Sequence, residues 1–232
     1  TERFKSREGK VEEVLSTLKS AALIGVYFYR AEANCLASKD EEQADIRARL
    51  EQARATGLIE IDGDKYSFSH PVILDFVQQE LSTSEVSDLS GKLARCLRLL
   101  RPADYRRQVD LFVASGEERE AAQSAALHLI QQCRLHEYQP EDVPSDLQIL
   151  IDAQGLTEFC KAMMQAYSQI ANGSHAVALT ALETVGDPLH PGLYLELTYI
   201  RSLCRMESGR REDAAFVAQE LVRHLDLEEV DE

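Results

Sequence analysis

A mainly α-helical chain with one small β-hairpin is what this sequence predicts, and three observations carry that expectation. Apolar residues recur at helical spacing through most of the 232 residues. One stretch, Leu58-Ile59-Glu60-Ile61-Asp62-Gly63-Asp64-Lys65-Tyr66-Ser67-Phe68, instead alternates about an Asp62-Gly63 pair, a strong local hairpin signal. Short glycine turns, Ala114-Ser115-Gly116, Ala171-Asn172-Gly173 and Glu207-Ser208-Gly209, then divide the second half into helical pairs.

Val11, Val14, Leu15, Leu18 and Ala22 place a first helix over 11–25. A short second helix covers 29–37. A third covers 41–56, with Ile46, Leu50 and Ala53 inward and Gly57 as its C-terminal cap. Ile59, Ile61, Tyr66 and Phe68 form the half-buried hairpin. The next helix runs over 71–81 and starts on Pro71, whose missing N–H costs nothing there. Three helices followed by a hairpin is winged-helix order. Ser82-x-x-Glu85 fits a capping box and starts a helix toward Leu100, and Pro102 opens another.

From there the helices pair in an antiparallel, tetratricopeptide-like array. Five residues after each turn glycine stands an alanine: Ala121, Ala178 and Ala214. Gly173 and Gly209 are 36 residues apart, near the ~34 of a tetratricopeptide repeat. Breaks fall at 138–144 and 186–192. The reading divides the chain into a winged-helix domain over 1–82, connecting helices with a first helical pair over 83–137, and repeats over 138–232. The last stretch ends in an acidic tail over 226–232, expected to fray.

The charge balance, 25 Lys+Arg against 40 Asp+Glu, nets −15 and opposes phosphate backbones, so no nucleic-acid partner is expected. The third helix would supply Arg47, Arg49 and Arg54 to DNA, but Glu41, Glu42, Asp45 and Glu51 stand among them, and Asp62 and Asp64 sit on the hairpin. No apolar run near ~18 residues could span a bilayer. Cys35, Cys96, Cys133, Cys160 and Cys204 are odd in number and scattered, which reads as small buried hydrophobes in a reducing cytoplasm. The chain opens on Thr1 rather than Met and is taken as a piece of a longer protein.

Catalysis is not expected. Gly91-Lys92 precedes Leu93 rather than Ser or Thr, and Val86 stands where a phosphate loop needs glycine. His136-Glu137 begins like a zinc-protease motif, but Pro140 replaces the second ligand, and no metal set is formed. One charged pattern stands out: Lys92, Arg95, Arg98 and Arg101, three apart, then Arg106 and Arg107. It reads either as a docking surface for an acidic domain or as a solvated face near a helix C-terminus, where cations suit the dipole.

Several runs resemble the signalling ATPases of the STAND class. The run 18–28, Leu-Lys-Ser-Ala-Ala-Leu-Ile-Gly-Val-Tyr-Phe, is similar to the opening of that family's winged helix, which follows its nucleotide-binding and lid domains. Leu50 to Ile59 resembles its leucine-rich helix and Gly-Leu-Ile step into the wing. Tyr66-Ser67-Phe68-Ser69-His70-Pro71-Val72-Ile73 resembles its aromatic-x-Phe-x-His-Asp-x-Ile motif. Val109 to Gly116, continuing to Ala122, resembles the start of its helical sensor. The resemblance covers 11–133.

It implies that His70 reaches the phosphates of ADP bound to an upstream domain and holds the inactive state. A helix N-terminus suits an anion. Pro71 departs from the family, where Asp is usual, and leaves open a His70 that caps its helix or packs under the wing. The reading that follows is a non-catalytic regulatory fragment. Its repeats would sense a protein partner or ligand, and it would act on an ATPase domain in cis that holds ATP or ADP. A free-standing helical adaptor and a winged-helix transcription regulator are the alternatives.

Overall fold

Three antiparallel strands, in the order Tyr27–Tyr29, Lys65–Phe68, Ile59–Asp62, organise the first half of the chain. The computed structural model describes residues 2–36, 43–135, 143–188 and 190–209. Two compact units emerge, 1–117 and 118–232. Among the described residues there are eleven helices, and none is long and apolar enough to cross a membrane. The acidic tail at 226–232, Ala214, Glu41, Glu42, His136, Glu137 and Pro140 lie outside the described residues.

Unit 1 runs α1 (Glu2–Ile24), β1 (Tyr27–Tyr29), α2 (Arg30–Leu36), α3 (Gln43–Ala55), β2 (Ile59–Asp62), β3 (Lys65–Phe68), α4 (Pro71–Gln79), α5 (Thr83–Leu100) and α6 (Tyr105–Ser115). The hairpin forms where Asp62-Gly63 predicts it, pairing Asp62 with Lys65 and Ile59 with Phe68. Gly63 turns it at φ 63°, a left-handed backbone that glycine adopts without a Cβ clash. Strand β1 is an addition to the expected fold. It pairs Phe28 with Tyr66 on β3. By strand alternation Tyr27 and Tyr29 face out while Phe28 is fully buried, stacking on Tyr66 at 5.3 Å and tilting against Phe68 at 6.0 Å.

Helix α3 ends in a Schellman motif. Gly57 N–H donates to Arg54 O at 2.9 Å and Leu58 N–H to Ala53 O at 3.0 Å, with Gly57 at φ 73°. The capping box at α5 is complete: Glu85 N–H donates to Ser82 Oγ and Ser82 N–H to Glu85 Oε2. Helices α5 and α6 pack antiparallel. At Gly91 of α5 a Cβ would stand 3.3 Å from Ser115 Cβ at the end of α6 and 2.4 Å from Glu117 Oε1 just beyond it.

One expectation is corrected here. Cys35 on α2 and Cys96 on α5 form a disulfide, with their Cα atoms 6.0 Å apart, so the five cysteines are not all free thiols. Cys133, Cys160 and Cys204 are free and buried, as expected of small apolar side chains. The disulfide also bears on the domain limits. The expected boundaries at 82 and 137 differ from the compact division at 117. Packing of α2 on α5, the crosslink and the ion pairs described below hold 83–117 against 1–82.

Unit 2 is helical throughout its described residues: α7 (Glu118–Arg134), α8 (Ser145–Ala153), α9 (Thr157–Ala171), α10 (His175–Glu183) and α11 (Pro191–Glu207). Helix α7 presents Ala121, Ala122, Ala125 and Ala126, all fully buried, and α8 and α9 pack against it. Leu147, Ile151, Met163, Leu182, Leu197 and Ile200 complete the core. The glycine turn at Gly173 is a Schellman cap, with Ser174 N–H donating to Gln169 O at 2.8 Å and Gly173 at φ 73°. Tyr167 donates a short hydrogen bond from α9 to Glu196 of α11. Burial, then the negative Glu196, push the Tyr167 hydroxyl well above its ordinary range, so it stays a donor at any physiological pH.

Candidate functional site

His70 stands at the end of β3, immediately before α4, and is exposed. Its backbone is extended, at φ −148° and ψ 138°, and its Nδ1 accepts the Val72 N–H at 3.2 Å. The side chain is therefore the N-cap of α4, with Pro71 at the first helical position. Ser69 fixes the entry: its hydroxyl donates to Gly57 O and Leu58 O, stapling the strand end to the α3 turn. With Nδ1 engaged by the Val72 N–H, Nε2 is the second polar atom of this exposed ring.

Helix α4 buries Leu74 and Val77 and is tied to α1 by Gln78, whose Nε2 donates to Ala22 O at 3.0 Å. Its unburied side mixes Asp75, Gln78 and Gln79 with two apolar residues. Val72 is 64% exposed and Phe76 58%, one helical turn apart. His70 and this pair are thus all exposed on one short helix and its N-cap.

Of the six cations on and after α5, Lys92, Arg95 and Arg106 are exposed and Arg98, Arg101 and Arg107 are partly buried. Arg95 pairs with Glu117 at 2.7 Å, and Arg98 lies over the Phe112 ring at 4.6 Å. Arg106 pairs with Asp110 at 3.3 Å, one turn on. Arg101 and Arg107 converge on Glu32 of α2, at 3.2 and 3.4 Å. Arg107 Nη2 also donates to Ile24 O at 2.7 Å, and Arg101 lies over the Tyr29 ring at 5.0 Å. Five of the six cations therefore make contacts inside unit 1.

Glu32 was not singled out by the sequence reading. It is 1% exposed, and its Oε2 accepts the Tyr29 N–H at 2.9 Å. The available signal was its place at the third residue of α2, where a glutamate reaches back to the N-cap amide. The N-cap here is Tyr29 rather than Ser or Thr, so only half of the usual pattern was visible.

On α3, Arg54 pairs with Glu51 at 3.1 Å and Arg49 with Glu13 of α1 at 3.6 Å, while Arg47 is exposed. No group of three or more His, Cys, Asp or Glu among the described residues is placed to hold a metal ion. The same His-Pro pair recurs in unit 2, where His190 is the N-cap of α11 and Pro191 its first residue. No protein-family model, curated protein or solved structure matches the chain.

Proposed function

We propose that the chain is a non-catalytic regulatory piece of a STAND-type signalling ATPase. In this reading 1–82 acts as a winged helix that docks on a nucleotide-binding domain, and unit 2 recognises a partner. The observation that carries it is the exposed His70 at the N-terminus of α4, beside the exposed Val72–Phe76 pair. An exposed imidazole at the positive end of a helix dipole suits a phosphate. The apolar pair beside it suits the packing face of a neighbouring domain.

The test is His70→Ala in the longer protein. Loss of one charge-assisted hydrogen bond, about 1.5–3 kcal/mol, should loosen ADP and shift the resting population by ~10-fold or more. Unchanged ADP affinity together with unchanged basal signalling would retire the switch. The rival reading is a helical adaptor. The recurrence of His-Pro at α11 supports it, because there the same pair opens a helix with no wing before it.

A further inference from the structure

Helix α2 is short and buries little. It has seven residues, of which Glu32, Ala33 and Leu36 are buried. A helix of that length does not hold its own shape in water and depends on what it is fastened to. It touches α1, α3 and α5, but these are also held without it: α1 packs directly on α3, α4 and α5, and α5 packs on α6. Two further ties fasten α2. One is the Cys35–Cys96 disulfide to α5. The other is the Glu32 carboxylate, between Arg101 at the end of α5 and Arg107 on α6.

The covalent tie is asymmetric. Cys35 is exposed, whereas Cys96 is 6% exposed. Thiol–disulfide exchange requires a thiolate to reach one of the two sulfurs, so access decides which is attacked. Here access directs the attack to Cys35 and makes Cys96 the leaving sulfur. The ionic tie does not depend on the thiols, and Ala33 and Leu36 stay apolar whatever the redox state. Cutting the disulfide therefore weakens the hold on α2 without removing any packing between α1, α3, α4, α5 and α6.

We propose that Cys35 and Cys96 form a thiol-operated latch on α2, opened from the Cys35 side by a dithiol reductant. One thiolate of the reductant attacks Cys35 Sγ. A sulfur–sulfur bond forms between them, the Cys35–Cys96 bond breaks, and Cys96 leaves as a thiolate that takes a proton. The second thiol of the reductant then attacks the mixed disulfide, closes the reductant's own disulfide and releases Cys35 as a thiol. The cystine gains two electrons and two protons, and the dithiol loses them. Once the link is cut, α2 opens locally while the rest of unit 1 stays folded, because a local opening breaks the contacts of one element and not those of the whole core. Opening withdraws Glu32 from Arg101 and Arg107, two members of the charged pattern at 92–107. The latch is independent of the ATPase reading.

The test treats the whole chain at neutral pH, without denaturant, with glutathione and separately with dithiothreitol. Glutathione has one thiol, so acid quenching traps its first adduct, and mass mapping should place that adduct on Cys35 with Cys96 free. Dithiothreitol should speed amide exchange at 33–36 of α2 about tenfold more than at 14–22 of α1 or 46–53 of α3. Reoxidation should restore the starting rates. Cys35→Ser, at an exposed position, should show the reduced pattern with no reductant and no response to one. Glutathione on Cys96, or reduction no faster than global unfolding, would overturn the route of attack. Exchange rising equally in α1, α2 and α3 would overturn the latch and leave the disulfide a brace for the whole unit. A Cys35→Ser chain that fails to fold would overturn it as well, because the latch requires a folded reduced state.

Discussion

Burying Glu32 removes a carboxylate from water, and three groups replace the lost hydration: the Tyr29 N–H, Arg101 and Arg107. A buried ion pair adds little net stability, but deleting one partner leaves the others charged and stranded. Glu32→Gln keeps the volume and removes the charge that both arginines face. Because Arg101 and Arg107 stay partly hydrated, it should cost about 1.5–3 kcal/mol, read as a lower urea midpoint for unit 1. A loss under about 1 kcal/mol would mean that water already reaches this carboxylate. The same residue shows why part of the site was hidden in the sequence. Glu32 and Arg107 are 75 positions apart, and nothing in either local pattern indicates that they meet. His70, by contrast, was legible, because Phe68, His70 and Pro71 mark a strand end and a helix start within four residues. What local pattern left open was the Nδ1 bond to Val72, since a helix start is compatible with either a capping ring or a free one.

The helix ends are where local chemistry and structure agree. Ser82 and Glu85 close both halves of the capping box, and Lys19 of α1 reaches Glu85 at 3.0 Å. The Ser82 N–H, then the Ser82 hydroxyl bond, then Lys19, hold the Glu85 carboxyl at about 2, below its ordinary 4.5. A depressed carboxyl stabilises the fold fully above about 4.5 and loses that contribution as the pH falls through about 2. Ser82→Ala should cost about 1 kcal/mol at neutral pH by removing the cap bond to the Glu85 N–H. It should also shrink the acid-dependent part of stability between those two pH values. Equal acid profiles for the variant and the parent would show that the backbone N–H of residue 82 and Lys19 set the Glu85 titration without the hydroxyl. Elements with such end signals, the hairpin, α4, α5 and the Gly116 and Gly173 turns, were readable. Strand β1 was not. Tyr27-Phe28-Tyr29 continues an apolar run from Leu23, too short for periodicity to separate strand from helix, and only pairing with β3 decides it.

Across the chain, the two units differ in what holds them. Unit 2 relies on an alanine-lined helix core, whereas unit 1 adds a covalent tie, Cys35 to Cys96, across 61 residues. No sequence pattern pairs two cysteines so far apart, and the expectation of a reducing compartment rested on their scatter. Disulfides persist mainly in oxidising surroundings or serve as redox-sensitive links. In the chain-entropy account, a loop of this length takes about 4 kcal/mol of freedom from the unfolded state. Dithiothreitol should therefore lower the stability of unit 1 by a few kcal/mol and speed amide exchange in α2 and α5, while exchange in 118–209 stays as it was. Alkylation with iodoacetamide at neutral pH identifies the thiols involved. The untreated native chain should take no label, because burial raises the Cys133 thiol to about 11 and Cys160 to about 12, and raises Cys204 as well. After reduction the label should enter at exposed Cys35 first, with Cys96, which is 6% exposed, following only as unit 1 opens. Label on Cys35 without reductant, or equal stability with and without it, would show that the link does not hold α2 to α5 in solution.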